Sequence, residues 1–121
     1  MSALPRHAAP PPQSTQTGLH AARRAGRALR VSPRGLCDMS AWSRLVLLCQ
    51  TMVGKRLIFF PPADPEQSFD ERWLLAVIDA VRRADADSYR FLLLSRMSAE
   101  RASALHFPLC RLVHRLDNFT G

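Results

Sequence analysis

The chain has 121 residues, with 17 Lys and Arg against 10 Asp and Glu for a net charge of +7. That length allows one domain. Three cysteines, Cys37, Cys49 and Cys110, form no C-x-x-C pair and exclude a disulfide framework. Gly54-Lys55 lacks the other glycine and the Ser/Thr of a phosphate loop, which excludes a Walker-type nucleotide site.

The charge is uneven. Residues 1–38 hold six arginines (Arg6, Arg23, Arg24, Arg27, Arg30, Arg34) against Asp38, or +5, whereas residues 39–121 hold eleven basic side chains and nine acids, or +2. Lys55 is the only lysine among the 17 basic residues. Guanidinium suits bidentate phosphate contacts, but abundant alanine and proline also tie the arginines to a bias in base composition.

Residues 1–38 read as a disordered basic tail, because Pro10-Pro11-Pro12 and the polar run after them cannot build a core. Within it, residues 19–32 offer a weak basic helix, interrupted by Gly26 and with an apolar face that is mostly alanine. Arg23, Arg24, Arg27 and Arg30 are its candidate nucleic-acid contacts, of the weak, salt-sensitive and unspecific kind. An Arg-rich, nearly acid-free stretch also fits mitochondrial targeting, an alternative to a cytoplasmic location. Met39-Ser40-Ala41 repeats Met1-Ser2-Ala3 where ordered patterning begins, so Met39 is an alternative start. On this reading a chain beginning at Met39 melts within a few degrees of the full one.

From Ser40 the pattern is helical. Trp42, Leu45, Val46, Cys49, Met52 and Val53 form an amphipathic seam, with Ser40 as N-cap and Gly54 just past the C-terminus. The apolar run Leu45–Cys49 is too short to span a bilayer, and no membrane partner is expected. Residues 55–62, KRLIFFPP, favour an extended chain, since Pro61 moves Phe60 away from helix. A proline-rich loop then runs through Gln67. Residues 68–83 form the best-marked helix, with Ser68 and Glu71 at capping-box spacing, Leu74, Val77, Ile78 and Val81 on one stripe, and Trp73 beside it.

Asp85 or Asp87 caps the next element, 88–97, where Phe91-Leu92-Leu93-Leu94 is apolar on two sides. A helix is favoured, because leucine dominates and β-branched residues are missing; a strand would make a βαβ unit over 56–95. Leu93 is placed in the core. Ser98 caps a last helix whose stripe Leu105, Leu109, Leu112 and Leu116 crosses Pro108, where a kink or a split into two helices is expected.

His106, Cys110 and His114 have metal-like identities at i, i+4 and i+8. Pro108 intervenes, and one helix rarely presents three ligands to a tetrahedral ion. The expected arrangement is a half-buried cysteine flanked by surface histidines, with no metal, no cofactor and no catalytic residue. A helix-turn-helix over 68–97 would carry Phe91–Leu94 into a polar groove and is disfavoured.

The expected fold is therefore mainly α. It is a small bundle of about four helices over 39–121, with an extended apolar segment at 56–60 and a disordered tail; α/β with the βαβ unit is the alternative. The aromatic residues exceed what so small a core hides, which points to a contact surface. Leu57, Phe59 and Phe60 are the candidate partner interface. The function read here is a non-enzymatic protein-interaction or regulatory module, docking a protein partner or self-associating. A nucleic-acid-associated regulator using the Arg-rich tail is the alternative.

Overall fold

The computed structural model describes residues 13–31 and 40–120, with side chains over 18–30 and 40–116. The described residues form five helices: α1 (Gln13–Val31), α2 (Ala41–Val53), α3 (Phe69–Arg82), α4 (Ala86–Leu94) and α5 (Ala99–Thr120). Helix α2 packs between α1 and α5, and the α3–α4 pair lies against α1 and α5.

The architecture is mainly α, as expected, with one helix more than the sequence suggested. That helix is α1, inside the segment read as a disordered tail; the tail's other residues, 1–12 and 32–38, lie outside the described residues. Ala22, Ala25 and Leu29 on α1 are buried in the same apolar cluster as the residues of α2, α3 and α5. The alanines let α1 approach its neighbours closely. At Gly26 the approach is closer still, for a Cβ there would stand 2.4 Å from Cδ2 of Phe59. The glycine that seemed to interrupt the helix is the seat of an aromatic ring.

Helices α2, α3 and α5 follow their sequence stripes. Leu45, Val46, Cys49, Leu74, Val77, Ile78, Leu105, Leu109 and Leu116 are buried. Ser40 caps α2 by accepting from Ser43 N, and Gly54, at φ 92°, closes it by donating to Gln50 O. Ser68 and Glu71 form the capping box of α3. Asp85 caps α4 by accepting from Ser88 N at 3.2 Å, and hydrogen bonding by the Ser88 side chain, with this backbone bond second, lowers its pKa below the ordinary value. Between α3 and α4, Ala84 adopts a left-handed φ of 56°, with Ala84 N donating to Val81 O and Asp85 N to Ala80 O. This is a Schellman closure with alanine in the place glycine usually takes.

For three segments the structure refines the sequence reading. The βαβ alternative is not borne out, because residues 86–94 are helical and the described residues contain no strand. The segment 55–60 is extended, yet it pairs with side chains: Leu57 N donates to Gln50 Oε1, Ile58 N to Asp70 Oδ2 and Phe60 N to Glu71 Oε2. Helix α5 runs unbroken through Pro108 rather than splitting there. Pro108 is solvent-exposed, so the carbonyl it leaves without a donor lies on the side water can reach.

Two adjacent acids at the start of α3 hold the elements together. Asp70 Oδ1 binds Arg96 Nη1 at 2.6 Å, and the Arg96 guanidinium lies over the rings of Phe69 and Trp73. Trp73 Nε1 donates to Leu92 O, completing the bond between α3 and the end of α4. Glu71 faces α1. Its Oε2 accepts from Arg23 Nε at 2.8 Å and its Oε1 from Arg23 Nη2 at 3.0 Å. The remaining donors of Arg23 reach the carbonyls of Pro61, Pro62, Asp64 and Glu66. Both side chains are almost wholly buried.

Arg23→Ala leaves Glu71 as an unpaired buried carboxylate and strands four loop carbonyls. It is expected to cost about 3–5 kcal/mol of folding stability, measurable by urea denaturation. A chain beginning at Met39 loses the same guanidinium together with Ala22, Ala25 and Leu29, so it should be less stable than Arg23→Ala rather than within a few degrees of the full chain.

Gly26→Ala tests the close packing. The roughly 1 kcal/mol of helix propensity gained is outweighed by overpacking of about 1–3 kcal/mol, and thermal melting should show a net loss. An unchanged or raised melting temperature would mean that Phe59 moves aside freely.

Candidate functional site

Three surface features combine shape with chemistry. The largest is a groove of about 550 Å³ between α2 and α5. Arg101 Nη1, at the start of α5, donates to Met52 O at the end of α2, so the helices run antiparallel and the groove follows both. Leu47, Leu48, Pro108 and Leu112 line it, and Arg44, Arg111 and Arg115 bring positive charge to it. No acidic residue occurs in α2, and in the described side chains of α5 the only acid is Glu100, at the end away from Arg115.

The second feature is a cavity of about 290 Å³ between α1 and residues 56–62. Arg27 and Arg30 enter it from α1, Arg56 from the extended segment, and Phe59, Phe60, Pro61 and Pro62 form the rest of its wall. The Arg23 guanidinium contributes to the floor, where its hydrogen bond to Glu71 raises its pKa against the opposing effect of burial.

The third is polar. Tyr89 Oη lies 2.8 Å from His106 Nδ1, and Cys110 Sγ lies 3.8 Å from the same nitrogen. Burial raises the Tyr89 phenol above its ordinary pKa, and Cys110 adds to the shift. His114 is exposed on α5. Among the described residues no cluster of three His, Cys, Asp or Glu side chains is placed to hold a metal ion.

The sequence-derived interface residues are spread over different environments. Leu57 is only 2% exposed and belongs to the core. Phe59 packs against the core and over Gly26, and Phe60 is half-buried. Leu57 is thus unavailable to a partner, whereas its neighbour Ile58 points to solvent. Of the four arginines assigned to nucleic acid, Arg23 is 3% exposed and bound to Glu71, so it cannot reach a phosphate. Arg24, Arg27 and Arg30 are exposed on α1.

Sequence reasoning missed Arg56 as a neighbour of Arg27 and Arg30, and it missed the α2–α5 groove. The only available signal for the groove was that residues 39–63 carry no acid. In the run at 91–94, Leu93 is core, as expected, whereas Phe91 is 71% and Leu94 42% exposed. The second face of that helix therefore points to solvent. Among the described residues no helix is long and apolar enough to cross a membrane.

Comparison with protein-family models, with curated proteins and with solved structures finds no match to this chain.

The two described cysteines differ in chemistry. Burial pushes the Cys49 thiol up to about 12, whereas Cys110 is only partly buried. Since the thiolate is the nucleophile, iodoacetamide at neutral pH should alkylate Cys110 and spare Cys49 until denaturant is added. A Cys37→Ser background removes the third thiol, and peptide mapping by mass reads the result. Alkylation of both sites at equal rates in the native protein would contradict the packing of α2.

Proposed function

We propose that the protein is a helical interaction module that docks an acidic amphipathic helix of a partner protein in the α2–α5 groove. One observation carries this reading: an apolar floor of Leu47, Leu48, Pro108 and Leu112 bordered by Arg44, Arg111 and Arg115, with no carboxylate among the described residues that line it. Helix-in-groove recognition uses apolar anchors at i, i+3/i+4 and i+7 for affinity. Flanking opposite charges set orientation and on-rate. The length of the groove along two antiparallel helices suits a helix of a few turns. Leu47 and Leu48, partly exposed although they sit on a well-packed helix, are the surface such anchors would cover. The reading is a binding function, without a catalytic step.

A labelled peptide of about 14 residues, four helical turns, with leucines on one face and glutamates beside them tests it by fluorescence anisotropy. The acidic peptide should bind the full chain. A version with lysine replacing each glutamate should bind at least about tenfold more weakly, a difference of roughly 1.4 kcal/mol. Leu48→Glu and Arg111→Glu should each weaken the acidic peptide by a similar factor. Equal binding of the two peptides, or no effect of Leu48→Glu, would reject the groove as the docking site.

A further inference from the structure

We propose that the cavity between α1 and residues 56–62 binds a small phosphomonoester, with the phosphate held by Arg27, Arg30 and Arg56 and the attached group against Phe60. This site is separate from the α2–α5 groove and does not depend on it.

The first argument is electrostatic. Four guanidiniums, those of Arg23, Arg27, Arg30 and Arg56, line one cavity of about 290 Å³. No carboxylate is among the described residues that line it. Glu71 lies behind it, but its two oxygens already accept from Arg23, Phe60 N and Ser68 N. Arg27, Arg30 and Arg56 have no hydrogen bond or ion pair among the described residues, in contrast to Arg23, whose nitrogens bind Glu71 and four loop carbonyls. Like charges gathered without a counter-charge repel one another, and a bound dianion relieves that repulsion. Guanidinium is also the group whose forked donors fit phosphate oxygens.

The second argument is rigidity. The wall of the cavity is a segment whose backbone is fixed from behind: Ile58 N by Asp70, Phe60 N by Glu71, and the carbonyls of Pro61 and Pro62 by Arg23. Phe59 is fixed over Gly26. A wall set in place before the ligand arrives lowers the ordering cost of binding.

The third argument is size. A cavity of this volume stands at the small end of ligand sites. It takes one phosphate and an attached ring, and it is a concave pocket rather than a track for a polymer. Because α1 supplies two of the arginines and the extended segment the third, the ligand would join α1 to residues 56–60.

The test uses the full chain at constant ionic strength, with ribose 5-phosphate and inorganic phosphate as probes and ribose and sodium chloride as controls. Both phosphates should raise the melting temperature with saturation, ribose 5-phosphate at the lower concentration, whereas ribose and chloride should not. Arg30→Gln and Arg56→Gln should each weaken binding by about tenfold or more, and Arg90→Gln, on α4, should not. Arg56→Glu should abolish binding while leaving the ligand-free chain at least as stable, because it relieves the repulsion; this separates loss of a site from loss of the fold. Amide exchange in α1 should slow when ribose 5-phosphate is bound. The proposal is overturned if chloride at equal ionic strength gives the same shift. It is likewise overturned if Arg90→Gln weakens binding as much as Arg56→Gln, or if duplex DNA binds more tightly per phosphate than ribose 5-phosphate and Arg56→Gln leaves that binding unchanged.

Discussion

One guanidinium joins three parts of this chain. Arg23 comes from α1, its carboxylate partner Glu71 from the first turn of α3, and its other acceptors are the carbonyls of the proline loop between α2 and α3. The loop has little regular structure, and its inward carbonyls need donors that a helix or sheet would otherwise supply. Arg23 supplies them. Glu71 does the same for N–H groups, accepting from Phe60 N and Ser68 N as well as from Arg23. Burying two charges is costly, and the cost is offset only when nearly every donor and acceptor finds a partner; here they do. The position of α1, the course of the loop and the start of α3 all follow from that one arrangement.

Asp70 repeats the device on the other side, with Arg96 as partner and Ile58 N as a second donor. Consecutive residues on a helix point about 100° apart. Two acids in sequence can therefore hold elements on two sides of α3, and the first turn of one helix ties α1, the extended segment and the end of α4 into a single body.

Much of the fold is legible in the sequence where the signal is periodic. The stripes of α2, α3 and α5 are read directly, and so are the Ser40 and Ser68 caps, with Asp85 one of two candidates for the cap of α4, because the residues that specify them lie within a turn or two of each other. What was not legible depends on distant pairs. The capping box at Ser68 and Glu71 is local, but the partnership of Glu71 with Arg23 spans 48 residues and leaves no local trace. Helix α1 looked weak because alanine and glycine make a poor apolar face when judged alone; against α2 and Phe59 their small size is what permits contact. The run Leu57 to Phe60 was rightly read as extended, but extension does not say whether the backbone will pair with a strand or with side chains. Of the candidate site residues, Arg24, Arg27 and Arg30 are exposed on a helix rather than carried on a disordered tail, while Arg23 and Leu57 were claimed by the interior. The Arg56 contribution to the cavity required the three-dimensional course of the chain.

The surface charge is not divided by the fold. Exposed arginines lie on α1 (Arg24, Arg27, Arg30) and also on the α3–α4 side, where Arg72, Arg82, Arg83 and Arg90 outnumber the exposed acids Asp79 and Asp87. Asp79 is itself paired with Arg83. Among the described residues no face is set aside for negative charge, so two copies of a chain carrying +7 meet mostly like charge however they turn. That repulsion reaches farthest at low salt and fades within about 8 Å at physiological ionic strength. Charge therefore keeps copies apart in dilute buffer, and close approach becomes easier as salt is added.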